Sequence, residues 1–120
     1  MEHVAIAPNL GALVTAGMGA LGLVAPERAA AFTSISPIGL NGRSEIRATY
    51  GGLFAALGLW CLVTQSQTAF CTAGIAWLGA AAGRVASVVA DRNRDGRNIG
   101  GVVVEAVIGL LLVAPWWGGT

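Results

Sequence analysis

The chain has 120 residues, 55% of them hydrophobic and 11% charged, with a formal net charge of +1. A soluble domain carries about a quarter charged residues, so this composition excludes a chain that keeps itself dissolved in water, and a net charge near zero gives no footing for nucleic acid. The length suits one domain, and a sequence without lysine leaves seven arginines to set its positive field.

Four apolar runs approach the roughly twenty residues needed to cross about 30 Å of hydrocarbon. They are residues 4–25, 46–64, 69–90 and 99–117. A spanning segment must satisfy its own backbone hydrogen bonds, and these runs lack the alternation of barrel strands, so the sequence predicts an all-α integral membrane four-helix bundle. The first run reads as a span rather than a cleaved signal, because Met1-Glu2-His3 lacks a positive leading region. The polar stretch from Pro26 to Glu45 follows. Within it Pro26 opens a short interfacial helix through Phe32, with Glu27 placed to suit the helix dipole. Ser44, followed by Glu45, reads as the N-cap of the second span. Gln65 to Thr68 forms a tight turn, and Asp91 to Asn98 a charged hairpin before the last span.

Orientation follows from arginine. Arg28, Arg43 and Arg47 flank the first connection, and Arg92, Arg94 and Arg97 lie in the third. The positive-inside rule makes both cytoplasmic, with the two termini on the non-cytoplasmic side and Trp116 and Trp117 at the outer interface.

Two ionisable residues lie inside the spans, where a charge costs several kcal/mol unless it is paired or hydrated. Arg84 sits seven residues before Asp91, and Glu105 seven after Asn98. At 1.5 Å per residue both lie about 10 Å deep from the same face. The match predicts a salt bridge that clamps helix register, with Glu45 and Arg47 near the same level; the competing reading is a proton or ion pathway, which an unpaired carboxylate would favour.

Small residues mark where membrane helices touch. Gly79, Gly83 and Ser87 recur at every fourth position of the third span, and Gly101, Glu105 and Gly109 do so in the fourth. Gly11, Thr15 and Gly19 form a matching row on the first span, and Arg47, Gly51 and Ala55 on the second, where Gly52 adjoins Gly51.

Other motifs carry less. Asp91, Asn93, Asp95 and Gly96 open like a calcium-binding EF-hand loop, but the twelfth position is Val102 and arginines interrupt the run, so the segment reads as a solvated hairpin. Cys61 and Cys71 flank the short outer turn, close enough to make a disulfide conceivable, though both fall in apolar runs where cysteine serves as a packing residue. His3 is the sole histidine and has no ligand cluster, so no metal or pigment is held through side chains, and no serine or threonine has a partner to activate it as a nucleophile. The sequence thus predicts no enzyme. Trp60 and Trp77 lie inside spans, where packing is the simpler reading and contact with lipid, quinone, pigment or a partner helix the functional one.

The run Gly42-Arg43-Ser44-Glu45-Ile46-Arg47-Ala48-Thr49-Tyr50-Gly51-Gly52, the later Gly83-Arg84 with Ser87 and Asp91, and Glu105 resemble a family of small bacterial four-helix membrane proteins known as a domain of unknown function. The resemblance covers most of the chain. It implies four spans in the bacterial inner or intracytoplasmic membrane and a shared polar cluster of Glu45, Arg47, Arg84, Asp91 and Glu105, with no activity to carry over. More loosely, size, span number and the same motif are similar to the four-span accessory subunits of purple-bacterial photosynthetic reaction-centre light-harvesting core complexes. That likeness implies a non-catalytic subunit partnered by lipids and other integral membrane subunits. The alternative is a small homo-oligomeric proton-coupled exporter; small multidrug exporters have the right size but carry their key glutamate in the first helix, where this chain has none.

Overall fold

A computed structural model of the protein describes residues 6–118, with side chains to Ala114. The readings placed on His3, Trp116 and Trp117 lie outside the described side chains. Among the described residues the chain is all-helical: α1 (Ile6–Val24), α2 (Pro26–Phe32), α3 (Gly39–Ile46), a π-helical segment (Arg47–Leu53), α4 (Phe54–Thr64), α5 (Gln67–Ala90) and α6 (Gly96–Gly118). From α3 to α4 the helix is continuous, and it is one of four helices long and apolar enough to cross a membrane.

That second long helix starts at Gly39, seven residues before the predicted Ile46. Ser44 therefore lies inside α3 and is not its N-cap, which is Ile38. The physical reason is upstream. Pro37 disfavours helix for the residue before it, and Gly39 adopts the positive φ of 64° that turns the chain into the first helical bond, Gly42 N–H to the Ile38 carbonyl at 3.0 Å. The other boundaries move less. Ser66 accepts from the Ala69 N–H at 3.2 Å and caps α5, which starts at Gln67, while Gln65 ends α4 in a left-handed conformation.

The chain divides into two compact units, one of residues 6–11 with 66–118 and the other of residues 12–65. In the second unit, glycines bring backbones together. A Cβ at Gly58 would meet the Ala12 carbonyl at 2.7 Å, and one at Gly19 would collide with the backbone of Ala55. Near the π-helical segment, a Cβ at Gly22 would collide with the Tyr50 carbonyl, and one at Gly51 would lie 2.9 Å from Leu23 N. Gly52 takes no part in this, having only its own turn nearby. Thr15 is buried, as are Ala29, Ala30 and Ile46, against which Tyr50 packs.

In the first unit α5 and α6 pack against each other. The predicted row Gly79–Gly83 is not their seam: both glycines are exposed and have open space where a Cβ would stand. The seam instead steps by three and four, through Gly74, Trp77, Ala81 and Arg84 on α5 and Asn98, Gly101, Glu105, Ile108 and Leu112 on α6. Strict four-residue rows drift around a helix of 3.6 residues per turn, whereas alternating three and four keep one face toward a partner. Gly79 and Gly83 fall on the opposite side. Gly74 and Gly109 mark the closest approach, since a Cβ on either would lie 2.8 or 3.0 Å from the other's carbonyl oxygen. Both cysteines are free.

Candidate functional site

The polar group of the first unit is built from three seam residues. Arg84 Nε donates to Glu105 Oε1 at 2.8 Å, and Arg84 Nη1 donates to Asn98 Oδ1 at 3.4 Å. Helical side chains lean toward the N-terminus of their own helix. Arg84 on α5 therefore leans away from the α5–α6 connection, Glu105 on α6 leans toward it, and the two meet between their backbones. Gly101 keeps the way clear: a Cβ there would stand 2.8 Å from both Nε and Cζ of Arg84. The glycine is the space in which the guanidinium lies. Glu105 keeps 14% of its side chain exposed and Arg84 34%.

Asn98, 8% exposed, ties this pair to the hairpin. Its Nδ2 donates to the Asn93 carbonyl at 3.0 Å. Asn93 Oδ1 in turn accepts from Asp95 N–H at 3.3 Å, and Asp95 Oδ1 accepts from Arg97 N–H at 2.8 Å, which caps the first turn of α6. The calcium-like spacing is thus a turn and a helix cap. No group of three or more metal-ligating side chains forms among the described residues.

Of the predicted polar cluster of five, three residues lie in the first unit. Arg84 and Glu105 join, while Asp91 ends α5 with its side chain exposed. Glu45 and Arg47 belong to the other unit, both exposed; Arg47 Nε donates to the Leu23 carbonyl at 3.3 Å, closing the C-terminus of α1 where carbonyls lack helical partners. Sequence reasoning missed this bond, and it missed the ion pair between Arg43 Nη2 and Glu27 Oε2 at 2.7 Å. The separation of Glu27 and Arg43 in sequence gives no local signal for it. Asn98 was also missed, although a polar residue at the seam position three before Gly101 is a signal that could have found it.

The second unit holds a different feature. An apolar cavity of about 40 Å³ is walled by Met18 and Leu21 of α1, Ala29 and Phe32 of α2, Tyr50 of the π-helical segment and Phe54 of α4. Thr33 also borders it, but its hydroxyl is turned onto the Ala29 and Ala30 carbonyls, each at 3.0 Å. Tyr50 and Phe54 meet edge to face, with ring centroids 5.9 Å apart. The widened turn of a π-helix frequently accompanies functional sites. Trp77 is 6% exposed and packs, whereas Trp60 is 62% exposed and faces outward.

A sequence profile described as a domain of unknown function, DUF4345, matches residues 5–116. No curated protein and no solved structure matches the chain.

Proposed function

We propose that the chain, which belongs to the DUF4345 family, is a non-catalytic packing subunit of a larger membrane complex. The observation that carries this reading is the outward face of α5, where Gly79 and Gly83 stand one helical turn apart with open space above them. Glycine costs about 1 kcal/mol against alanine in a helix, and in lipid that cost is offset where another helix approaches closely. The exposed indole of Trp60 on α4 supports the same reading, as large amphipathic rings suit contacts with partner helices.

An exporter needs a carboxylate free to exchange protons with substrate. Glu105 is engaged by Arg84 at 2.8 Å; Glu27, Asp91 and Asp95 lie in connections or at helix ends, and Glu45 stands exposed in the second turn of the second long helix, beside the arginine-rich connection. In this proposal the arginine-rich connections face the cytoplasm and the termini the opposite side of a bacterial inner membrane.

The test is purification of a tagged copy in mild detergent followed by mass spectrometry. A large membrane complex should accompany the wild type, a photosynthetic core complex being the partner that sequence likeness implies, and Gly79→Leu with Gly83→Leu should release it without destabilising the chain itself. Isolation of the chain alone, with proton-coupled substrate uptake in liposomes, would overturn the reading in favour of an exporter.

A further inference from the structure

The connection between the first two long helices is not clothed for water. Phe32, Ile35 and Ile38 are all exposed, as is Leu40 in the first turn of the next helix. A run of exposed large apolar side chains beside arginines is the pattern of a segment lying in the membrane interface. The apolar cavity opens within this same unit, behind Phe32.

We propose that this cavity seats part of one acyl chain of an anionic phospholipid whose phosphate is held by Arg28 and Arg47. Charge points to the headgroup. Residues 25–47 carry three arginines, Arg28, Arg43 and Arg47, against two acids, Glu27 and Glu45. Glu27 is taken by Arg43, whose own Nε remains buried without a hydrogen-bond partner. The Arg28 guanidinium has no protein partner among the described residues, and Arg47 uses only Nε, toward the Leu23 carbonyl. Position points the same way. Arg28 precedes the cavity residue Phe32 by four positions on α2, hence on one face, and Arg47 opens the π-helical segment that carries the cavity residue Tyr50 three positions on. Cations thus stand at the rim of an apolar seat in the headgroup zone, the arrangement by which helix-flanking basic pockets select anionic lipids. A cavity of about 40 Å³ takes roughly three water-sized groups, so it grips a stretch of chain rather than a whole ligand.

The experiment is native mass spectrometry of the full chain, delipidated in dodecylmaltoside and titrated with dioleoylphosphatidylglycerol or dioleoylphosphatidylcholine. The wild type should saturate at one phosphatidylglycerol per chain, at about one fifth of the concentration that phosphatidylcholine needs. Arg28→Gln should lower the preference for phosphatidylglycerol, Arg28→Gln with Arg47→Gln should bring it to the phosphatidylcholine level, and Leu21→Trp, which fills the seat, should abolish the single adduct with either lipid. Equal retention of the two lipids by the wild type, adducts that accumulate without a plateau at one, or an Arg28→Gln chain that keeps its full preference would each overturn the proposal. Displacement of the lipid by inorganic phosphate would also overturn it, since a site emptied that way recognises the headgroup alone. Because Arg28 is exposed, its substitution tests lipid selection even where Leu21→Trp fails to fold.

Discussion

Replacing Glu105 with Gln tests the intramembrane pair most directly. The carboxylate accepts the 2.8 Å bond from Arg84 Nε, and once it is neutral the guanidinium retains charge-free partners only, chiefly Asn98 Oδ1 at 3.4 Å. Removing one member of a fully buried pair costs about 3–5 kcal/mol and of an exposed pair about 0–1 kcal/mol. Glu105 sits close to the buried limit and Arg84 between the two, so the single substitution should cost about 2–3 kcal/mol. Arg84→Gln should cost a similar amount, by leaving a carboxylate without its cation. The double substitution removes both charges and should recover about 1–3 kcal/mol of the summed loss. The assay is equilibrium unfolding in mixed detergent micelles followed by tryptophan fluorescence, with the buried Trp77 two turns from Arg84 as the main reporter. Strictly additive single losses would refute the coupling, however close the two groups stand.

Glycine substitutions should divide by face. Gly58→Ala and Gly22→Ala drive a methyl into backbone on a facing helix and should cost about 1–3 kcal/mol or more by the same unfolding assay, whereas Gly79→Ala and Gly83→Ala meet nothing within the chain and should gain about 0.5–1 kcal/mol each. Gly101→Ala should lower stability by displacing the Arg84 side chain, and the loss should vanish or reverse when Arg84 and Glu105 are both Gln; a loss of equal size in that background would mean that the methyl acts elsewhere. Asp95→Ala removes the cap of α6 and should cost about 1 kcal/mol, measured as a lower melting temperature in detergent. Millimolar calcium should leave that melting temperature unchanged, because Asn93 and Asp95 oxygens are engaged by the turn.

The four long apolar helices were legible because hydropathy and length alone decide them, and the pairing of Arg84 with Glu105 was legible because rise per residue is fixed once a connection is located. The start of the second long helix was not legible. Polar Asn41, Arg43, Ser44 and Glu45 read as a connection, yet nothing in them opposes helix, and Pro37 with Gly39 supplies the actual break. Which partner the row Gly79–Gly83 would meet was not legible for another reason. A four-residue repeat of small residues states that some helix can approach, but not which one, and the α5–α6 hairpin takes the face through Gly74 instead. The cavity was invisible because its walls come from residues as far apart as Met18 and Phe54, with no shared spacing.

The ion pair has its consequence in register rather than in net energy. The small and aliphatic stretches of a seam between two antiparallel helices pack nearly as well after a slip of one turn, about 5.4 Å, because they offer few distinctive knobs and holes. An arginine stem lying across Gly101 to reach Glu105 admits no such slip. One turn in either direction would bury a guanidinium against Cβ atoms and leave a carboxylate in hydrocarbon, at a cost of several kcal/mol. The Asn98 bond to the Asn93 carbonyl fastens the same register to the hairpin. With its deep charges committed to holding α5 against α6, the opposite face of α5 carries no charged side chain, and Gly79 and Gly83 stand there beside the exposed Ile75. Such a face is suited to meet another helix closely, without a charge to desolvate.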